Sequence, residues 1–357
     1  MTSLRGEVPG LADIGVGALA SPHVVMPAAE AERIAGRFWG LDVRAERLAS
    51  EKDDTFRLAD TTGDKWVLKA SNPAEPADEI DFEVSLMRHV LAADSGVPVP
   101  QILPARDGLP VVSVEDDAGQ RRLVRIMTYC VGTPLDSVDC RPSEREQVGE
   151  CLARLRQATR SFRHPAERRV LIWDVRNLPA LRPLVSTIDD PDKREMLDAA
   201  ISRFLPMVDS ICRLRSHVLH NDFSQSNLIV EQGAEPFIRG VIDFGDAGHT
   251  AIAIDASTAM LNQLPADMTR DSADDVFGNA RDVLRGYFRY ADLDSDEVRL
   301  IPHLIMGRVV SRALITLSRA ALMPDNSAYI LRNTEQGWGQ LEWFLSRTNE
   351  EVSAALL

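Results

Sequence analysis

The chain has few cysteines and no excess of positive charge. Its 357 residues include four cysteines, none of which share the Cys-x-x-Cys spacing of a zinc or redox site. Reduced thiols are usual in the cytosol, so this pattern predicts free cysteines and a cytoplasmic protein. Acidic residues (54) outnumber lysine and arginine (40), which gives a formal net charge of −14. This balance argues against nucleic acid and anionic membrane surfaces as main partners.

Long apolar runs are scarce as well. None approaches the ~20 residues of a membrane-spanning helix, so we expect no membrane partner. The first 25 residues lack the basic start and continuous apolar segment of a signal peptide. We predict that residues 1–27 form a flexible N-terminal arm. The 45% hydrophobic and 26% charged composition is typical of a globular protein with ample core.

Residues 28–128 combine helical and strand patterns, which predict a small sheet lobe with one main helix. The stretches "DDTFRLAD" and "DKWVLKA" flank the turn "TTGD" and predict a hairpin. A second hairpin is predicted in "LPVVSVEDDAGQRRLVRIMTY". Apolar residues recur at helical spacing in "PAAEAERIAGRFWGL" and in "PADEIDFEVSLMRHVLAAD", of which the second is the prominent helix.

Residues 129–357 have mostly helical periodicity. A helix is predicted in "PSEREQVGECLARLRQATRSF", with a capping box from Ser143 to Glu146. Strand patterns are limited to "SNLIV" and "FIRGVIDFG". The sequence therefore predicts an α+β fold with two lobes, a small N-terminal sheet lobe and a larger, mostly helical C-terminal lobe, joined near residues 128–134.

Polar residues with the chemistry of phosphoryl transfer occur in three motifs. "HNDFSQSN" contains Asp222 and Asn227, "VIDFGD" contains Asp243, and "WVLKA" places Lys69 on a strand of the small lobe. This transfer needs a carboxylate near the acceptor hydroxyl, Asp and Asn ligands for Mg²⁺, and a lysine for the phosphates. A hairpin over 226–243 would bring Asp243 beside Asn227, and the following helix offers Glu83 as a partner for Lys69.

Together these motifs resemble the protein-kinase-like superfamily. The spacing is most similar to the aminoglycoside phosphotransferase and choline kinase group, whose catalytic loop reads H-x-D-x-x-x-x-N, followed by I-D-F/W-G/E. The stretches "RIMTYCVGTPL" and "IDFGDAGHTAIAIDAS" look most like hydroxylysine-kinase-type small-molecule phosphotransferases. The resemblance covers roughly residues 28–345. It implies a bilobal protein-kinase-like fold, with the nucleotide-binding N-lobe at 28–128 and the C-lobe at 129–357.

The resemblance also implies roles for individual residues. Asp222 is the implied catalytic base, Asn227 and Asp243 the ligands of two Mg²⁺ ions, and Asp255 a brace for the catalytic loop. Lys69 contacts the nucleotide phosphates and pairs with Glu83, with Glu79 one turn earlier as the alternative. The other implied nucleotide-binding residues are Ser50, Asp53 and Thr55 above the phosphates, and Met127, Thr128, Tyr129 and Cys130 beside the purine.

Acceptors in this family bind to the helical lobe, where Trp173 and Asp174 occur. An indole and a carboxylate suit an ammonium group, although a packed Trp beside a capping Asp fits the same pattern. We expect transfer of the γ-phosphate of ATP or GTP to a small hydroxyl compound, such as a hydroxylysine-like amino alcohol or an aminoglycoside or nucleoside antibiotic. The alternatives are a non-catalytic pseudokinase and a protein kinase, the latter opposed by the missing A-P-E segment. Both a monomer and a homodimer are compatible with the sequence.

Overall fold

The computed structural model describes residues 21–50, 52–272, 275–322, 327–331 and 334–357. Most of the predicted arm, residues 1–20, lies outside this part of the chain. Residues 21–27 lie on the small lobe, where Met26 is buried and its N–H donates to Asp54 Oδ2 over 3.1 Å. This stretch is therefore part of the N-lobe surface and not of a free arm.

The N-lobe is built on a six-stranded antiparallel sheet. Its strands are β1 (Arg44–Leu48), β2 (Asp54–Ala59), β3 (Lys65–Ala70), β4 (Ile102–Leu103), β5 (Val112–Glu115) and β6 (Arg121–Thr128). The strand order is β1-β2-β3-β6-β4, and β5 also pairs with β6. Both predicted hairpins are confirmed, as β2–β3 and β5–β6.

Two helices accompany this sheet, α1 (Ala28–Trp39) and α2 (Ala77–Ala92), as the periodicity predicts. Helix α1 buries one apolar face against the sheet, in a core that includes Phe56. Helix α2 instead contributes Phe82 and Leu86 to the core of the C-lobe. It therefore contacts both lobes, and its polar residues lie at the cleft between them.

The C-lobe is mostly helical. Its helices are α3 (Pro142–Thr159), α4 (Leu178–Leu181), α5 (Pro191–Phe204), α6 (Val208–Cys212), α7 (Ile252–Leu261), α8 (Gly278–Tyr287), α9 (Ser295–Leu322), α10 (Ser327–Leu331), α11 (Glu335–Leu345) and α12 (Asn349–Ala354). Helices α3 and α8 pack closely through glycines. A Cβ atom on Gly149 would lie 1.9 Å from the Val283 carbonyl oxygen, so a larger residue there would force the helices apart.

The predicted capping box of α3 is wrong by two residues. The helix begins at Pro142, and Glu144 rather than Glu146 accepts from the backbone, with 2.8 Å between Arg141 N and Glu144 Oε2. A proline suits the first helical position because that residue needs no N–H partner and its φ is already helical. Pro142 therefore sets the start of the helix ahead of Ser143.

Helix α9 is long and apolar enough to cross a membrane, judged by length and composition alone. Arg308 and Arg312 interrupt its apolar stretch, and 83% of its most apolar window is buried within the protein. A central core helix has the same composition. Its apolar residues pack against the surrounding helices of the C-lobe.

Short strands in the C-lobe hold the polar loops of the cleft. These strands are β7 (Thr133–Pro134), β8 (Ser216–Leu219), β9 (Leu228–Val230), β10 (Ile238–Val241) and β11 (Gly248–Ala251). The predicted pair β9–β10 is confirmed, and β7 adds to its edge. The second pair, β8–β11, is not among the predicted strands. The loops β8–β9 and β10–β11 therefore begin and end on paired strands.

Candidate active site

The loop between β8 and β9 brings Asp222 and Asn227 together, as their spacing predicts. Asn227 Nδ2 donates to Asp222 Oδ2 over 2.8 Å and to the Asp222 carbonyl oxygen over 3.0 Å. Asn221 has a left-handed backbone, with φ of 61°, a region that asparagine tolerates better than most residues. Its N–H donates to Asp255 Oδ1 over 2.8 Å. Asp255 thus lies where a brace for this loop is predicted.

His220 connects this loop to the neighbouring one. Its Nε2 lies 3.0 Å from the Ile242 carbonyl oxygen, and its ring packs against Phe244 with 4.7 Å between ring centroids. The side chain is buried. Both contacts favour a structural role for His220, because its Nε2 is engaged with the backbone next to Asp243.

Lys69 and Asp243 meet across the cleft. The distance from Lys69 Nζ to Asp243 Oδ1 is 3.2 Å, although 174 residues separate them. The charge of Lys69 lowers the pKa of Asp243 to about 2. Burial of Lys69 opposes its charged form, but the carboxylates of Asp243 and Glu83 outweigh this and raise its pKa. Both side chains are therefore ionised at neutral pH.

The partner of Lys69 on helix α2 is Glu83. Glu83 Oε1 lies 3.8 Å from Lys69 Nζ, whereas Glu79 pairs with Arg169 over 3.2 Å. Glu83 is shared with Arg125, whose Nη2 lies 2.7 Å from Glu83 Oε2. Arg125 was not predicted as a site residue. It is fully buried on β6 directly opposite Lys69 in the sheet, so it adds a second positive charge beneath the lysine.

The substitution Glu83→Gln is expected to destabilise the protein by about 3 kcal/mol, because a buried charge that loses its partner typically costs this much. Arg125 would keep only Asp53, at 3.7 Å, as a carboxylate neighbour within the described residues. The matched control is Glu231→Gln, whose carboxylate is 58% exposed and pairs with the partly exposed Arg239, so its loss should cost about 1 kcal/mol or less. Denaturant unfolding of both variants measures the difference. Equal losses would show that Arg125 does not depend on Glu83.

The predicted phosphate loop, Ser50 to Phe56, contributes a lysine that the sequence reasoning missed. Asp53 and Thr55 are buried in the N-lobe, and Ser50 is partly exposed. Lys52 Nζ pairs with Glu75 Oε1 over 2.6 Å and lies 3.9 Å from the position that a Cβ on Gly245 would occupy. This loop has no glycines, but it carries a positive charge to within reach of the Asp243 loop.

In the segment between the lobes, Met127 to Cys130, two backbone N–H groups are already engaged within the protein. The Thr128 N–H donates to the Gln101 carbonyl oxygen over 2.9 Å, and the Tyr129 N–H to that of Lys65 over 3.3 Å. Within the described residues the Cys130 N–H has no hydrogen-bond partner. The Cys130 N–H is thus available as a donor to a purine.

On the acceptor side, Asp174 has a structural role instead of the predicted acceptor-binding one. It is buried, its Oδ1 accepts from the Arg176 N–H over 2.9 Å, and its Oδ2 pairs with the Arg176 guanidinium over 2.6 Å. Aspartate commonly caps a helical turn in this way. Trp173 is partly buried, with its ring 5.2 Å from the guanidinium carbon of Arg308.

Arg308 and Asp246 also belong to the site, and neither was predicted. Arg308 Nη2 lies 3.0 Å from Asp222 Oδ1, although Arg308 is 86 residues further along the chain. One signal was available: an arginine in the apolar helix α9 needs a buried partner. For Asp246, burial and the charges of Asp222 and Asp243 raise its pKa to about 7. It is therefore a third carboxyl group beside the two predicted ones.

The donor set fits a hard divalent cation such as Mg²⁺. Asp243 is ionised and its side chain is 55% exposed to the cleft. The amide N–H of Asn227 is fixed by Asp222, which leaves Asn227 Oδ1 free as a ligand. The described residues contain no group of three or more His, Cys, Asp and Glu placed to hold a metal. Mg²⁺ commonly takes one or two protein ligands and completes its shell with phosphates and water.

The two lobes and their cleft have the arrangement of a phosphotransferase of the protein-kinase-like class. The sheet lobe supplies a buried lysine, the helical lobe supplies an Asp–Asn loop, and an ionised Asp lies between them. The chain belongs to the phosphotransferase enzyme family, whose profile matches residues 44–293, and it is a small-molecule kinase. This confirms the family resemblance and the fold predicted from the sequence.

Individual relatives are distant in sequence. The chain is 23% identical to the hydroxylysine kinase of Mus musculus over 348 residues, which cover 90% of each protein. Among solved structures it resembles an amicoumacin kinase in complex with AMP-PNP and Ca²⁺, with a TM-score of 0.62, 20% identity and coverage of 82% of this chain and 87% of the other. It also resembles a microcompartment-associated aminopropanol kinase, with a TM-score of 0.61, 19% identity and coverage of 88% of this chain and 95% of the other.

Proposed function

We propose that the protein transfers the γ-phosphate of ATP or GTP to a hydroxyl group of a small polar molecule in a Mg²⁺-dependent reaction. The observation that supports this most strongly is that two pairs of functional side chains are in contact at the cleft. Asn227 Nδ2 lies 2.8 Å from Asp222 Oδ2 on one loop, and Lys69 Nζ lies 3.2 Å from Asp243 Oδ1 across the lobes. Phosphoryl transfer depends mainly on such positioning and on charge stabilisation.

In this proposal Asp222 orients the acceptor hydroxyl and accepts its proton as the oxygen attacks the γ-phosphorus. The hydrogen bond from Asn227 fixes the direction of the Asp222 carboxylate. Lys69 contacts the α- and β-phosphates, and Lys52 adds a second charge over them. Asn227 Oδ1 and Asp243 would hold Mg²⁺, which neutralises the charge of the phosphates.

The donor is proposed as ATP or GTP. The structure of the related amicoumacin kinase contains AMP-PNP, which favours ATP, while the hydroxylysine-kinase resemblance of the sequence favours GTP. The free Cys130 N–H can serve either purine. The acceptor is proposed as a hydroxylysine-like amino alcohol, because the hydroxylysine kinase of Mus musculus is similar over nearly its full length. An antibiotic as the acceptor is supported only by the fold that this chain shares with antibiotic kinases.

Nucleotide consumption by the purified protein tests this proposal. ATP and GTP are supplied separately with Mg²⁺ and a panel of amino alcohols, hydroxy amino acids, aminoglycosides and nucleoside antibiotics. We expect turnover that depends on an acceptor and stops when EDTA removes the metal. Nucleotide binding without turnover on any acceptor would favour a pseudokinase, and phosphorylation of added proteins alone would favour a protein kinase. A failure to bind either nucleotide would exclude the proposed function.

A further inference from the structure

A buried arginine contacts the carboxylate of Asp222, where the acceptor hydroxyl is expected to bind. Arg308 is 7% exposed, and its Nη2 lies 3.0 Å from Asp222 Oδ1. Its Nη1 donates to the Trp173 carbonyl oxygen, and the guanidinium stands over the Trp173 ring. The other carboxylate oxygen of Asp222 accepts from Asn227. Both oxygens of the proposed base are therefore already engaged.

A second arginine lies one turn further along the same face of helix α9. Arg312 is partly buried, and its Nη2 donates to the Gln340 amide oxygen over 3.3 Å. No carboxylate of the described residues lies within ion-pair distance of Arg312. Burial and the charge of Arg308 lower the pKa of Arg312 to about 10, so it still carries its charge at neutral pH. Of these two neighbouring guanidinium groups, only that of Arg308 has a carboxylate partner among the described residues, namely Asp222.

We propose that Arg308 and Arg312 form a binding site for a carboxylate group of the acceptor, which would make the acceptor a hydroxy amino acid rather than a simple amino alcohol or a polycationic antibiotic. This inference rests on the proposed function, because it places the acceptor hydroxyl at Asp222. The planar guanidinium group matches a carboxylate with two parallel hydrogen bonds. An anion here would balance the unpaired charge of Arg312.

The same site explains why the base is covered by an arginine. The Arg308 guanidinium occupies Asp222 Oδ1, an oxygen that would otherwise be open to the acceptor hydroxyl. When the acceptor carboxylate binds, Arg308 can turn from Asp222 toward it and leave Asp222 Oδ1 to the hydroxyl. Transfer to water is then suppressed until an acceptor is bound. A polycationic aminoglycoside would leave Arg308 on the base and would be repelled by Arg312.

Matched acceptor pairs test this site. The acceptors are 5-hydroxylysine against 1,5-diaminopentan-2-ol, which lacks only the carboxyl group, and homoserine against 3-aminopropan-1-ol. We expect kcat/KM of the wild type to favour the carboxylate member of the better pair by at least about 10-fold. Arg312→Gln should reduce that preference about 10-fold through the KM of the carboxylate acceptor, with the KM of the nucleotide unchanged. Arg312→Lys, which keeps the charge, should recover part of it.

The control for folding is Arg299→Gln, an exposed arginine on the same helix, which should leave the preference intact. Equal turnover of both members, unchanged in Arg312→Gln, would overturn the carboxylate site while leaving the kinase function standing. When turnover is below detection, calorimetric titration with AMP-PNP present measures whether the protein binds the carboxylate member of each pair more tightly than the other member. Absence of any nucleotide binding would instead remove the proposed function, and this inference with it.

Discussion

Asp222→Asn is expected to lower kcat by about 10² to 10⁴-fold, the usual contribution of a positioned general base. Asparagine has nearly the same volume, and its single amide oxygen can accept from Arg308 or from Asn227, but not from both. It cannot accept a proton from the acceptor hydroxyl. The substitution therefore removes the proposed chemistry and leaves most of the packing in place.

The discriminating measurement is the separation of turnover from nucleotide affinity. The dissociation constant of AMP-PNP should change by less than about 3-fold, because Lys69 and Lys52 are on the other lobe and do not contact Asp222 directly. The control is Asp198→Asn, a half-exposed carboxylate that pairs with Arg182 far along the helical lobe, and it should keep wild-type kcat. A variant Asp222→Asn with more than a tenth of wild-type kcat would show that another group takes the proton.

The parts of this molecule that the sequence predicted correctly depend on short-range signals. The hairpin β2–β3 follows from two alternating segments around "TTGD", and the contact of Asp222 with Asn227 follows from a spacing of five residues. The fold prediction required only the order of such elements and the family resemblance. The error at helix α3 is also local, because Pro142 at the first helical position, and not Ser143, sets the start of the helix.

The missed residues depend on contacts that no local pattern encodes. Arg308 reaches Asp222 over 86 residues, and Arg125 reaches Glu83 over 42. Each arginine lies in a regular element whose periodicity predicts only a core position. Their partners are set by how α9 and β6 pack in the finished fold. A charged residue inside an apolar element was the available warning, but it does not identify the partner.

Asp243→Asn is expected to lower kcat/KM by about 10³-fold or more at a fixed Mg²⁺ concentration. A metal ion contributes several kcal/mol to charge stabilisation in the transition state, and about 4 kcal/mol corresponds to about 10³ in rate. Asp243 has φ of 63°, a left-handed conformation that asparagine also tolerates and alanine does not. Asparagine therefore removes the charge without straining the backbone.

The dependence on Mg²⁺ concentration separates metal binding from a general loss of structure. If Asp243 holds the metal, the variant should need much more Mg²⁺ for half-maximal turnover. Lys69 would also lose its partner at 3.2 Å and retain Glu83 at 3.8 Å, so the lysine should stay in the cleft and nucleotide should still bind. An unchanged Mg²⁺ requirement together with lost activity would assign Asp243 to holding Lys69 in place. The metal would then have to be held by other oxygens of the cleft, such as the carboxyl group of Asp246, which lies close enough to Asp222 and Asp243 for their charges to raise its pKa.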